Sequence, residues 1–153
     1  MPRVCPQSPA PASDAGERAC VLRLNHTHLA QTQLEQPVAT KDPREPFTRI
    51  SVAEAKEMLD SGKAVMVDVR EPDEYVEVHA KGVRLIPVNT VISEAKQIRD
   101  YASDKDVLFI CKSGQRSALA AEFATAAGIE DIPLFNVEGG TTAWVAAGYP
   151  TGD

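Results

Sequence analysis

The stretch with the clearest chemical potential is Cys111-Lys112-Ser113-Gly114-Gln115-Arg116-Ser117, a cysteine that ends the apolar run Phe109-Ile110 and opens a polar loop. A structural cysteine lies among apolar neighbours on both sides and keeps an inert, high-pKa thiol. Cys111 has them on one side only. On the other side follow two cations (Lys112, Arg116), three hydrogen-bonding side chains (Ser113, Gln115, Ser117) and the conformationally permissive Gly114. Such surroundings suit an anion, and the anion at hand is the thiolate. The residues after the loop read as a helix, so Cys111 sits where a strand stops and a helix begins, where free amides and the helix dipole favour negative charge. Together with Lys112 and Arg116 they are expected to lower the thiol below its usual ~8.5 and to populate a nucleophile at neutral pH. A cysteine that merely ended a strand would leave this loop a coincidence.

The elements that must hold the loop are regular from residue 47 onward. Ser51-Val52-Ala53-Glu54 has capping-box spacing and predicts a helix to about Asp60, stopped by Gly62. Ala64 to Val69 is a β-branched run of strand length with a polar tip, and Pro72-Asp73-Glu74 opens a short helix to about Val78. Val83 to Val88 reads as a strand, and Asn89 and Thr90 offer caps for a helix through Arg99. Asp106 to Ile110 is a strand running straight into Cys111. Ser117 to Ala127 is a helix closed by Gly128, Ile132 to Val137 a strand, and Gly139-Gly140 a turn into a last short helix containing Trp144. Strands and helices alternate at roughly 20-residue spacing, which calls for parallel pairing by right-handed crossovers: an α/β open parallel sheet with helices on both faces. In such sheets sites lie outside the carboxyl ends of the strands, where Asp68, Arg70 and Cys111 fall.

Composition sets the limits. The 153 residues are 43% hydrophobic and 25% charged, as expected of one globular domain. Seven of the 11 prolines lie in residues 1–46, a segment with five Lys/Arg and five Asp/Glu, so the net charge of −6 belongs to residues 47–153. Residues 1–46 are read as a disordered Pro-rich arm and 47–153 as the domain. An acidic domain repels phosphate backbones, which argues against nucleic-acid binding. No window approaches the ~20 apolar residues of a membrane span, and Ala19 to Leu22 is too short for a secretory leader, so no membrane association and a cytoplasmic location are expected. Cys5, Cys20 and Cys111 are odd in number and lack zinc-ligand spacing, so free thiols and no metal are expected. His26 and His28 lack a third ligand nearby and read as solvated loop residues.

Three blocks, DVREPDEY (Asp68 to Tyr75), CKSGQRSA (Cys111 to Ala118) and NVEGGTTAW (Asn136 to Trp144), resemble the rhodanese-like sulfurtransferase family in order and spacing, over about Ile50 to Pro150. The resemblance implies a single-domain rhodanese-like fold with a parallel sheet of about five strands. It also implies that Cys111 is the catalytic residue, takes a sulfane sulfur from thiosulfate or a persulfide donor, and passes it to a thiol, cyanide or a sulfur-relay protein, with no metal or organic cofactor. Lys112, Ser113, Gly114, Gln115, Arg116 and Ser117 then form the substrate-binding loop. Asp68 and Arg70 match the family's Asp-x-Arg and are expected to orient the loop from beneath and to pair with a carboxylate such as Glu74; Gly139 and Gly140 give further support. In Val78-His79-Ala80-Lys81-Gly82, which is similar to the family's His-x-x-Gly turn, Lys81 stands where proline is common. His79 reads as structural rather than as a base, since an ionised thiol needs none, and Trp144 reads as core. Either a monomer or a homodimer is compatible with these features.

Loop length separates related chemistries. Four residues lie between Cys111 and Arg116, whereas the related phosphatases and arsenate reductases use a longer loop. A tetrahedral oxyanion needs a wider ring of amides and an arginine placed to clamp two oxygens. The alternative of a different class is a persulfide carrier or regulatory interaction module, loaded by a partner and turning over little on small donors.

Overall fold

In the strand Asp106–Ile110 (β4), side chains go alternately to the two faces of a sheet: Val107 and Phe109 join one buried cluster, Leu108 and Ile110 the other. Such a strand, apolar on both sides, belongs at the centre of a parallel sheet covered on both faces. The computed structural model describes residues 39–152 and places it there. The other strands are Thr48–Ile50 (β1), Ala64–Asp68 (β2), Arg84–Leu85 (β3) and Leu134–Val137 (β5), in the all-parallel order β1-β5-β4-β2-β3. The α/β open parallel five-stranded sheet expected from the sequence is present.

The helices Val52–Asp60 (α1), Pro72–Glu77 (α2), Ala95–Ala102 (α3) and Gln115–Ala126 (α4) lie between successive strands, and Gly140–Ala146 (α5) follows β5. Ile98 and Ala102 of α3 and Ala120, Ala121 and Ala124 of α4 pack on Val67 and Phe109. On the opposite face Ala55 of α1 and Trp144 of α5 pack on Met66, Leu108 and Ile110. Burying these side chains is worth about 1.5–3 kcal/mol for each large one and supplies the main force holding the layers together. The capping box at α1 is formed: Ser51 Oγ accepts from the Glu54 amide at 3.1 Å, and Glu54 Oε2 accepts from the Ser51 amide at 2.9 Å.

Several elements differ from the sequence reading. The segment Val83 to Val88 pairs over Arg84–Leu85 only, at the sheet edge and just before Pro87, which has no amide to donate. Instead of a helix from Asn89 to Arg99 there is a 3-10 turn, Val88–Thr90, and the α-helix begins at Ala95. Thr90 Oγ1 donates back to the Pro87 carbonyl at 2.8 Å rather than capping forward amides, and the Val88 amide is held by the Val69 carbonyl at 3.0 Å. The strand read from Ile132 starts at Leu134, beyond Pro133. The edge strand β1 had no reading from sequence. Residues 39–46, assigned from composition to the arm, make contacts within the described fold. Thr40 and Arg49 exchange backbone hydrogen bonds of 2.8 Å, and the Ala39 amide donates to Glu54 Oε1 at 3.0 Å. Cys5, Cys20, His26 and His28 lie outside the described residues.

Candidate active site

Cys111 directly follows β4 and is 1% exposed. The chain turns around its sulfur because Gly114 takes φ +108°, a left-handed conformation that suits glycine. That turn aims the Gly114 amide at Sγ, 3.0 Å away. The helix α4 then starts at Gln115, two residues before the expected Ser117, so Gln115, Arg116 and Ser117 form its first turn. Ser117 is fully buried, its hydroxyl 3.4 Å from Sγ. Burial pushes the Cys111 thiol up, but hydrogen bonds from the Ser117 hydroxyl and from the amides of Ser117, Gly114 and Ser113 outweigh it, and the net effect lowers the pKa. The hydrogen bonds that lower it come from amides and a hydroxyl that point at the sulfur.

The two cations are placed differently from each other. Lys112 is exposed, and among the described residues no carboxylate partners it. Arg116 is engaged by Glu74 of α2 through two parallel bonds, Nη1 to Oε2 at 2.7 Å and Nη2 to Oε1 at 2.9 Å. The bidentate pair raises the arginine pKa and depresses the Glu74 carboxyl to about 2. Arg116 therefore reaches sideways to α2.

Asp68 and Arg70, both buried, pair with each other and not with Glu74. Arg70 Nε donates to Asp68 Oδ1 at 2.9 Å, and Nη2 donates to Asp68 Oδ2 at 2.7 Å and to the Val78 carbonyl at 2.8 Å. Their support reaches the loop indirectly, because they fix the end of α2, the helix whose Glu74 holds Arg116. His79 is buried, its ring stacked on Tyr75 at 3.8 Å between centroids with Nδ1 2.7 Å from the Tyr75 carbonyl. Both contacts run from the turn after α2 back onto that helix. Trp144 is 1% exposed and donates to the Pro150 carbonyl at 2.8 Å, a core residue as expected.

Gly140 explains the Gly-Gly pair. A Cβ there would lie 2.3 Å from the Cys111 carbonyl oxygen and 2.5 Å from the Lys112 carbonyl. With no side chain, α5 abuts the loop, and the Thr141 and Thr142 amides donate to the Cys111 and Lys112 carbonyls at 2.7 and 3.2 Å. Gly139 packs beside Gly114. A cavity of about 300 Å3 borders this junction, lined by Arg70, Glu74, Val78, Lys112, Thr141 and Val145. Thr141 Oγ1 is buried with no hydrogen-bond partner among the described residues. Among those residues no group of three or more His, Cys, Asp and Glu is placed to hold a metal ion.

Sequence reasoning missed Asn136 and Glu138. Asn136 is fully buried on β5, opposite Phe109 of β4, and its Oδ1 lies 2.5 Å from Ser117 Oγ. Its Nδ2 donates to Glu138 Oε1 at 2.9 Å, and Arg49 Nη1 donates to the same oxygen at 2.7 Å. A polar residue interrupting the apolar run Leu134-Phe135-Asn136-Val137 was the available signal.

A strand-loop-helix that closes amides on one buried sulfur at the carboxyl end of a parallel sheet defines a class of proteins. The rhodanese-like domain family matches residues 51–147, and the chain belongs to that family. It is 32% identical over 101 residues to the thiosulfate sulfurtransferase GlpE of Pseudoalteromonas translucida, an alignment covering 66% of this chain and 91% of GlpE. It is 34% identical over 102 residues to the probable adenylyltransferase/sulfurtransferase MoeZ of Mycobacterium tuberculosis, covering 66% of this chain and 25% of MoeZ, so that it spans a quarter of that protein. A rhodanese-related protein from Thermoplasma volcanium superposes with a TM-score of 0.54 at 32% identity, over 68% of this chain and 96% of that one. These relationships support a sulfurtransferase at the level of the family. No described helix is long and apolar enough to cross a membrane.

Proposed function

We propose that the protein is a thiosulfate-type sulfurtransferase working by a two-step exchange on Cys111. The observation that carries this reading is the Cys111 sulfur held by the Gly114 amide at 3.0 Å and the Ser117 hydroxyl at 3.4 Å, a ring sized for one sulfur atom. In the first step the thiolate attacks the outer sulfur of thiosulfate. A sulfur–sulfur bond forms, and sulfite leaves with the electron pair of the bond that breaks. In the second, cyanide carbon or an acceptor thiolate attacks the outer sulfur of the persulfide, and Cys111 departs as a thiolate. No general base is required, because the attacking group is already ionised. Lys112 and the unpartnered Thr141 hydroxyl would meet the donor's oxygens in the adjoining cavity. A phosphatase or arsenate reductase is disfavoured by the ring of amides closing on sulfur and by Arg116 being bound to Glu74.

That same engagement of Arg116 favours a second reading, a persulfide carrier in a sulfur relay. With Arg116 neutralised by Glu74 and Arg70 by Asp68, the pocket offers little free positive charge to a small dianion. Intact mass after incubation with thiosulfate separates the readings. One added sulfur on the wild type, none on Cys111→Ser, together with steady-state thiosulfate:cyanide turnover, supports the enzyme. Loading by a cysteine desulfurase without turnover on thiosulfate supports the carrier. No sulfur gained from either source refutes both.

A further inference from the structure

The Ser117 hydroxyl has one proton and two acceptors within reach, Asn136 Oδ1 at 2.5 Å and Cys111 Sγ at 3.4 Å. Asn136 presents its oxygen, not its amino group, because Nδ2 is taken by Glu138 Oε1 at 2.9 Å and a flipped amide would set oxygen against carboxylate. Glu138 is in turn held by Arg49, which Glu45 also pairs. We infer that Asn136 and Glu138 are positioning residues that set how readily Cys111 ionises, acting through a Ser117 hydroxyl that faces Asn136 when the sulfur is a thiol and turns to the sulfur when it is a thiolate.

The arrangement has a direction. In the thiol state, S–H can donate to Ser117 Oγ while Ser117 donates to Asn136, so every group in the line is satisfied. Forming the thiolate requires Ser117 to abandon Asn136 Oδ1, a buried acceptor that then loses its partner. The line therefore favours the thiol and opposes the ring amides. The benefit lies in kinetics, since a thiolate loses intrinsic nucleophilicity as its pKa falls, and the best attacking thiol titrates near ambient pH. The purpose assigned here rests on the sulfur-transfer reading, but the ionisation itself does not. The charged groups around Cys111 are Lys112 in the loop, Arg116 on α4, Asp68 and Arg70 at the end of β2, Glu74 on α2 and, through Asn136, Glu138 beyond β5. Glu138 alone among them bears on the Ser117 proton by a hydrogen-bonded route.

The test is a pH titration of the ultraviolet thiolate absorbance of the full chain, with Cys111→Ser as the blank that removes Cys5 and Cys20. Glu138 is 48% exposed in its side chain, so substitutions there are compatible with folding. Glu138→Ala frees the Asn136 amide to flip and donate to Ser117, which leaves the hydroxyl proton for sulfur. The Cys111 midpoint should fall by about half a unit to one unit. Glu138→Gln keeps an oxygen acceptor for Asn136 Nδ2 and removes only charge, so its shift should be clearly smaller. In a Ser117→Ala background the excess of Glu138→Ala over Glu138→Gln should vanish. An unchanged or raised midpoint in Glu138→Ala overturns the inference, as do equal shifts in both variants or an excess that survives Ser117→Ala. Thiosulfate turnover measured on the same samples is read separately: a protein that titrates as described without turning over contradicts the enzyme reading and leaves the line intact.

Discussion

Replacing Glu74 by glutamine isolates the charge of its pair with Arg116, since a glutamine oxygen can still accept from the Glu71 amide as Glu74 Oε2 does at 3.2 Å. The Arg116 guanidinium depresses the Glu74 carboxyl from 4.5 to about 2. At about 1.36 kcal/mol per unit, that shift sets a ceiling of about 3 kcal/mol on the stabilisation at neutral pH. The side chains are 35% and 26% exposed, so solvent screening brings the expected loss in Glu74→Gln to about 1–2 kcal/mol. The sign with pH follows from the depressed carboxyl. Its contribution is complete above the unfolded value of 4.5 and disappears as pH falls toward about 2, so wild type and variant should converge in acid. Urea unfolding across that range measures the difference. The substitution also releases a guanidinium beside the pocket, so the KM for thiosulfate should fall several-fold at low ionic strength. A deficit that stays constant through the acid range, or one under about 0.5 kcal/mol with an unchanged KM, would show that the pair does not form in solution and that Arg116 is free after all.

Lys112→Ala should raise the thiosulfate KM more than Arg116→Ala does, by roughly five-fold at low salt and less at high salt, because no carboxylate among the described residues neutralises Lys112 as Glu74 does Arg116; steady-state kinetics at two ionic strengths decides it. Gly140→Ala should cost about 2–4 kcal/mol and most of the activity, since its Cβ would stand 2.3 Å from the Cys111 carbonyl at φ +57°; a melting curve within a degree or two of wild type would contradict that close approach. A chain starting at Phe47 should be less stable than one starting at Pro37 by about 1–3 kcal/mol, having lost the Thr40–Arg49 bridge and the Glu45 partner of Arg49, and comparative denaturant unfolding of the two reads this directly. Cys111→Ser should keep the melting temperature and lose thiosulfate:cyanide turnover, because oxygen fits the ring yet forms no persulfide.

What the sequence made legible is what neighbouring residues decide among themselves. Ser51 and Glu54 cap α1 because they are three apart, and Val107 to Ile110 form a strand because their own side chains require burial on both faces. The thiol in its loop was legible for the same reason: the amides that surround Cys111 belong to the six residues after it. Features set by distant pairing were not. The strand β1 is three residues long and exists by pairing with β5, 87 positions away. Asn136 reaches the sulfur's surroundings because β5 lies beside β4 with Phe109 opposite Asn136, a register no local pattern declares. The Arg70 partner was misassigned because an Asp two residues earlier at a strand end competes with Glu74 on a separate helix, and only the fold brings Glu74 within 2.7 Å of Arg116.

The hydrogen bonds from α5 to the Cys111 and Lys112 carbonyls have an electrostatic effect on the other side of those peptide planes. In a trans peptide the carbonyl and the following amide point in opposite directions. Anchoring the Lys112 oxygen outward on the Thr142 amide therefore turns the following Ser113 N–H toward the sulfur, while the Thr141 amide fixes the Cys111 carbonyl before it. The dipoles that stabilise negative charge there are oriented during folding and need not rotate when the thiolate forms or leaves, so the reorganisation cost that water would exact is absent from the barrier. It also follows that this preorganisation is held by a helix that contributes no side chain to the sulfur, and a substitution that pulled α5 back by an ångström would degrade the chemistry while every residue touching Cys111 stayed in the sequence.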